Sequence, residues 1–275
     1  MINILKTQIY LYSMCNLRIK FKEKHMINPA IFRAYDIRGN SNNDLSPEIA
    51  YKIGFCFARI ILSSQKEAES NFICVGRDGR LSSEELCNAL LQGIRATGAN
   101  VKYIGLVATP TLYFADKNFS APGSIMVTGS HNPKEDNGFK MVKSNAPFFG
   151  LMIQGLRKQI EEFNWPVLEI KDNYVQACID LKEQYIDRIL LNRKISKNLK
   201  IAFDPANGAA GELVSILCRK LPCQTFIINE KIDGNFPGHD PDPTIPRNLD
   251  QLKNYVLENN CDVGIGFDGD ADRIG

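Results

Sequence analysis

The chain has no CxxC pair, no lysine- or arginine-rich stripe and no low-complexity tract, and histidine occurs only three times in 275 residues. Each absence removes a class of function. Without CxxC spacing, the eight cysteines (Cys15, Cys56, Cys74, Cys87, Cys178, Cys218, Cys223 and Cys261) form neither a zinc motif nor a thioredoxin-like one. Several fall within apolar element patterns, Cys56 on a helix face and Cys74 in a strand, as reduced core thiols of a cytoplasmic protein do. A net charge of +2 is too small for a nucleic-acid surface. Residues 1–25 contain apolar stretches broken by Gln8, Ser13, Asn16 and Arg18, so no span reaches membrane-crossing length. They also lack a small-residue cleavage site after Lys6. Residues 1–27 are therefore read as an extension, disordered or a misassigned start, with Met26 as the working start.

What remains is the composition of a globular protein, 44% hydrophobic and 23% charged, with room for one to two domains. Strand and helix patterns alternate. Ser46-Pro47 caps a helix to about residue 62, with Ile49, Ile53, Phe57 and Ile60 as its apolar stripe. A strand is expected at 72–75, and a helix from Ser83 that stops before Gly98. Further strands follow at 101–106, 123–128 and 139–142, and a helix at 150–163. Trp165-Pro166 opens a linker. Beyond it the pattern predicts a helix from about 174 to 191, then strand 200–203, helix 209–220, strand 224–228, helix 249–258 and strand 262–267. This spacing predicts two consecutive α/β domains with mixed, mostly parallel sheets. The expected boundaries are 28–172 and 173–275.

Asp268, Asp270 and Asp272 lie in the run Gly266-Phe-Asp-Gly-Asp-Ala-Asp-Arg-Ile-Gly275, directly after an apolar stretch. Three carboxylates at alternate positions repel one another unless a cation gathers them, and a hard divalent ion such as Mg²⁺ takes oxygen ligands of this kind. An EF-hand requires Gly where Arg273 stands. The literal GxGxxG of Gly264 to Gly269 has no helix or acidic residue about 20 positions further on, as a dinucleotide fold requires.

Ile125-Met-Val-Thr-Gly-Ser-His-Asn-Pro133 reads as a strand running into a tight turn, which presents Ser130 at a strand tip, where α/β sheets place ligands. His131 and Lys140 add a titratable donor and a cation. The segment is not GxSxG, so a hydrolase elbow is poorly supported. A serine that carries or accepts a phosphoryl group fits, its charge met by the metal at the aspartates. A turn serine bonding its own backbone is the plain alternative. Arg77-Asp-Gly-Arg80 is open to two readings, a phosphate-facing loop or a surface turn with a local ion pair. Asp204-Pro-Ala-Asn-Gly-Ala-Ala-Gly211 leads into a helix and its turn residues explain it without an anion. His239, in the proline-rich loop 233–244, is read as solvated or packed on the loop.

Together Phe32-Arg-Ala-Tyr-Asp-Ile-Arg-Gly39, Gly76-Arg-Asp-Gly-Arg80, the loop 128–140, Asp233-Gly-Asn-Phe-Pro237 with His239-Asp-Pro-Asp-Pro243, and Asp268-Gly-Asp-Ala-Asp-Arg273 resemble the α-D-phosphohexomutase family, the phosphomannomutase/phosphoglucomutase group. The resemblance covers roughly residues 28–275. It implies that Ser130 is a phosphoserine, that Asp268, Asp270 and Asp272 hold one Mg²⁺ together with a Ser130 phosphate oxygen, and that Arg38, His131, Lys140 and Arg273 are the polar groups around them. It further implies transfer between sugar 1- and 6-phosphates of mannose or glucose, with a hexose 1,6-bisphosphate as activator. The family's sugar-reading and phosphate-clamping loops have no counterpart in these residues. That leaves two further readings open: a non-catalytic remnant that binds Mg²⁺ and phosphosugar weakly, and a metal-assisted phosphatase using Ser130. The 275-residue stretch by itself is expected to show little or no mutase turnover. Asp270→Asn is expected to weaken metal binding and to leave metal-free stability unchanged or higher.

Overall fold

The computed structural model describes residues 27–64, 71–166, 168–171 and 176–275. The expectation for residues 1–26 lies outside them. Two α/β units are present, each built on a twisted sheet with mixed or parallel strands, as the alternation predicts.

In the first unit β2 (Phe72–Arg77), β3 (Asn100–Leu106) and β4 (Gly123–Val127) run parallel, with β2 in the middle. β5 (Asp136–Lys143) is antiparallel to β4, and β1 (Ile37–Asn40) and the short β6 (Ala146–Pro147) are antiparallel to β5. The order is β1-β5-β4-β2-β3. One face is covered by α1 (Pro47–Ser63), α2 (Ser83–Arg95) and α4 (Leu151–Glu162), around a core that includes Phe57, Ile73, Leu90, Phe139 and Phe148. The other face is covered by α3 (Thr109–Asn118), over Cys74, Ile104, Leu112 and Met126.

Ser46 caps α1, its hydroxyl accepting from the Ile49 N–H at 3.3 Å, with Pro47 in the first turn. The expected stripe is rotated. Ile53 and Phe57 are buried, but Ile49 and Ile60 are only partly so, and Ala50, Gly54, Cys56 and Ile61 take core places. The cause is a close approach to α2. A Cβ on Gly54 would lie 2.4 Å from the Leu90 carbonyl, and one on Gly93 would lie 2.1 Å from that of Tyr51. Two glycines therefore set the distance between the helices. Sequence patterning misses α3 and β1. α3 opens on Thr-Pro-Thr and buries threonines beside Leu112 and Ala115, so its apolar stripe is faint. β1 is four residues long, too short for a period to register.

The second unit has β7 (Lys200–Asp204), β8 (Gln224–Ile227) and β9 (Val263–Gly266), all parallel, in the order β8-β7-β9. α5 (Lys182–Leu190), α6 (Gly211–Lys220) and α7 (Asp250–Glu258) complete it. The helix expected from about 174 begins only at Lys182. Before it, the Ile179 N–H donates to the Tyr103 carbonyl at 2.8 Å and Cys178 pairs with Tyr103, so this stretch extends the edge of the first sheet instead. The two units share a small apolar cluster, Ala108 with Ile186, Leu213 and Ile216. No described helix is long and apolar enough to cross a membrane.

Candidate active site

In both sheets the chain steps outward from a central strand and then back across it, which opens a crevice at the carboxyl ends of the strands. In the first sheet the crevice lies between β2 and β4; in the second it lies between β7 and β9. The loop after β4 carries Ser130 and the loop after β9 carries the three aspartates. These two loops meet. Each contains a non-glycine residue in the left-handed region, Ser130 at φ +53° and Ala271 at φ +56°. Backbone of that kind is kept only where surrounding contacts dictate it.

Ser130 is fully buried and its hydroxyl donates to Asp268 Oδ2 at 2.9 Å. Lys140, on β5, places its ammonium 2.7 Å from Asp270 Oδ2, 2.5 Å from Asp272 Oδ2 and 3.5 Å from Ser130 Oγ. Arg273 donates its backbone N–H to Asp268 Oδ1 at 3.0 Å, and its guanidinium meets Nδ1 of His131. His131 Nδ1 itself is 3.5 Å from Ser130 Oγ, too far for a strong hydrogen bond. The structure thus brings Ser130, His131, Lys140, Arg273 and the three aspartates together, a grouping that the family resemblance, not spacing, implies. Arg38 sits one layer away. Its Nη1 donates to the Gly129 carbonyl at 2.8 Å and to Asn132 Oδ1 at 2.6 Å, while Nε and Nη2 donate to Asp36.

Burial, with Asp270 and Asp272 close by, pushes the Asp268 carboxyl up to about 7. Asp270 goes the other way. Burial raises it, but the ammonium of Lys140 and the hydroxyl of Thr109 more than offset this and hold it below the usual carboxylate range. Burial would lower Lys140, and the same two aspartates outweigh that and raise it. Burial and then the Arg273 guanidinium depress His131, which favours a neutral ring.

The carboxylate oxygens of Asp268, Asp270 and Asp272 come within 4.8 Å of one another, all hard oxygen donors. Oδ1 of Asp270 is buried and has no hydrogen-bond partner. An orphaned anionic oxygen in the interior is costly unless a cation meets it, so the residues present fit a divalent metal ion.

Sequence reasoning missed two supports. Thr109, at the start of α3, donates from Oγ1 to Asp270 Oδ2 at 2.5 Å and from its N–H to the Asp270 carbonyl at 2.9 Å. Its signal was Thr109-Pro-Thr after a strand that ends at the same sheet edge. Asp78 and Arg80 form the other. They are neither a surface turn nor phosphate-facing, since both are buried and both bind the serine loop. Residues 204–211 serve the aspartate loop, with the Ala209 N–H donating to the Gly269 carbonyl at 2.9 Å. His239 packs on this loop, Nε2 lying 2.9 Å from the buried Asp204. Of the cysteines, Cys56, Cys74 and Cys87 are buried and burial pushes each thiol up to about 12; Cys178 is exposed.

Two sheets whose crevices face each other, one bearing a serine and the other a carboxylate trio, have counterparts among known proteins. The family model described as phosphoglucomutase/phosphomannomutase, alpha/beta/alpha domain I, matches residues 29–165, and the model for domain II of the same family matches residues 183–275. The chain belongs to the phosphoglucomutase/phosphomannomutase family. A phosphomannomutase/phosphoglucomutase of Pseudomonas syringae pv. tomato is 40% identical over 245 residues, covering 89% of this chain and 51% of the relative. A phosphoglucomutase of Neisseria meningitidis serogroup A is 37% identical over 245 residues, covering 89% and 52%. The crystal structure of a phosphoglucomutase/phosphomannomutase family protein from Burkholderia thailandensis matches with a TM-score of 0.81 at 38% identity, covering 91% of this chain and 55% of that one. The chain spans about half the length of the curated relatives it matches.

Proposed function

We propose that this chain carries the phosphoserine and metal part of a phosphohexomutase, which moves a phosphoryl group between the 1- and 6-positions of mannose or glucose phosphate. The observation that carries this reading is the pairing of Ser130 Oγ with Asp268 beside the orphaned Oδ1 of Asp270. Ser130 is the residue phosphorylated, with a hexose 1,6-bisphosphate as the activator that loads it. Asp268, Asp270, Asp272 and a Ser130 phosphate oxygen hold one Mg²⁺. The cation, when bound, supplies neutralisation of the charge on the transferring phosphoryl oxygens.

The chain's own groups do the positioning. Asp268 fixes the Ser130 hydroxyl and accepts its hydrogen bond. Lys140 keeps Asp270 and Asp272 apart from their mutual repulsion and lies within 3.5 Å of the hydroxyl, close enough to meet a phosphate there. His131, held neutral, stands beside the same oxygen and is the group placed for proton transfer once the Arg273 guanidinium, which meets its Nδ1, moves off it. Arg38 steadies the loop from its Gly129 end while paired with Asp36, and a phosphate on Ser130 would meet its charge through that loop. Arg273 is half-exposed at the rim, suited to the phosphate of a sugar.

Incubation with glucose 1,6-bisphosphate and Mg²⁺, followed by intact-mass and phosphopeptide analysis, tests the reading. One phosphate is expected on Ser130, and none on the Ser130→Ala variant. Phosphate on another residue, or on none, would sink it.

A further inference from the structure

The buried Arg80 has no role in the chemistry described above, yet it is bonded to most of the serine loop. It is among the largest fully buried side chains of the described residues. Its Nη2 donates to the carbonyls of Ser130 and Asn132, each at 2.7 Å. Its Nη1 donates to those of Pro133 at 2.5 Å and Asp136 at 3.0 Å. One planar guanidinium therefore draws four carbonyls of residues 130–136 toward a single point. Asp78 completes the frame. It lies 3.3 Å from Arg80 Nε as an ion pair, and its Oδ2 accepts from the Gly129 N–H at 3.2 Å, just where the chain enters the loop.

The consequence for Ser130 is geometric. With its carbonyl pulled inward and its own N–H donating to Thr128 Oγ1 at 2.8 Å, the peptides on both sides are fixed. The residue is left in the left-handed region and its side chain points at Asp268. Arg80 also reaches the second unit. Its guanidinium lies 5.2 Å from the ring centroid of Phe236. Beside that ring, Gly234 packs so tightly on the 79–81 turn that a Cβ would sit 2.5 Å from the Leu81 nitrogen. The unit that carries the aspartates is thus docked on the same arginine that shapes the serine loop.

We propose that Arg80 is the positioning residue that sets Ser130 Oγ against the aspartate loop, acting through the four carbonyls and through Phe236. The inference rests on the phosphoserine reading and deepens it. A guanidinium is required because its two Nη groups carry the four N–H donors that the four carbonyls need, on a flat cation that also lies against the Phe236 ring.

The test is the rate of phosphate uptake on Ser130 from glucose 1,6-bisphosphate, as a function of bisphosphate concentration, alongside a Mg²⁺ titration. Arg80→Met keeps the bulk and loses the fork. Its maximal rate is expected to fall roughly 100-fold, the effect of a misplacement of about 1 Å. The half-saturating bisphosphate and the Mg²⁺ affinity are expected to stay within about threefold, because neither ligand touches Arg80. Arg80→Lys, with charge but no fork, should recover part of the rate. A folded Arg80→Met protein that takes phosphate at the wild-type rate overturns the inference and leaves the phosphoserine reading standing. Wild-type protein that takes no phosphate overturns both. Should Arg80→Met not fold, Phe236→Leu decides: a several-fold slower rate with unchanged half-saturation supports the inference, and an unchanged rate overturns it.

Discussion

The Ser130 hydroxyl donates to Asp268 Oδ2 at 2.9 Å, although the two residues are 138 positions apart and belong to different sheets. The contact requires the Ser130 loop and the aspartate loop to touch backbone to backbone. Gly269 makes that possible, since a Cβ there would lie 2.5 Å from the Ser130 carbonyl oxygen.

Gly269→Ala is accordingly expected to separate the loops. Overpacking of this kind costs about 1–3 kcal/mol, to be read from urea denaturation. Phosphate uptake on Ser130 should slow as well. An alanine variant of wild-type stability and rate would show that the loops have slack there.

Asp270→Asn is expected to weaken Mg²⁺ binding, measured by calorimetric titration, because one of three anionic ligands is lost. For its metal-free stability the contacts of Asp270 argue for the opposite sign from the sequence-based expectation. Lys140 offsets the repulsion between Asp270 and Asp272, lying 2.7 Å from the former and 2.5 Å from the latter, and Thr109 bonds the same Asp270 oxygen. Losing a buried hydrogen-bonded carboxylate costs about 1.5–3 kcal/mol. Thermal and urea denaturation in EDTA should show the variant less stable.

Lys140→Met should have opposite effects on binding and on rate. The ammonium occupies oxygens of Asp270 and Asp272 that a metal ion would use, so its removal is expected to raise Mg²⁺ affinity several-fold. Metal-free stability should drop because the carboxylates then repel one another unopposed. Phosphate uptake should slow, since a cation near the Ser130 oxygen is gone. Unchanged Mg²⁺ affinity would show that lysine and metal do not compete.

His239 is raised above its ordinary value of 6.5, first by its hydrogen bond to Asp204, against the opposing effect of burial. A group raised on folding stabilises the protein fully below its unfolded pKa, and the gain is lost as pH rises through the folded one. The stability difference between wild type and His239→Gln should therefore be largest below pH 6.5 and shrink above it. Urea denaturation across that range checks the sign; a difference that grows with pH contradicts the pairing.

The elements legible in the sequence were those with a clear period or a strong terminus. Ser46-Pro47 starts α1 where expected, β4 and β9 lie within the expected strands, and β2 and β7 begin where expected and run two residues and one residue further. The site residues were legible for another reason. Local spacing puts three carboxylates on one turn and a serine on the tip of a strand, and repulsion among like charges calls for a cation whatever the surrounding fold. Where segment 176–181 would go was not legible, because it follows the edge of β3 rather than its own helical pattern.

Tertiary structure alone decided what holds the site in place. In sequence Arg80 stands open between a phosphate-facing loop and a surface turn, and nothing in the local pattern singles out Thr109 or Gly269. Each acts on an atom contributed by a distant stretch of chain: the Ser130 carbonyl for Arg80 and Gly269, and the Asp270 carboxylate for Thr109. Sequence fixes which groups are available within a loop, because covalent spacing limits their separation. It does not encode which carbonyls a buried guanidinium meets, because those distances exist only after two sheets have packed.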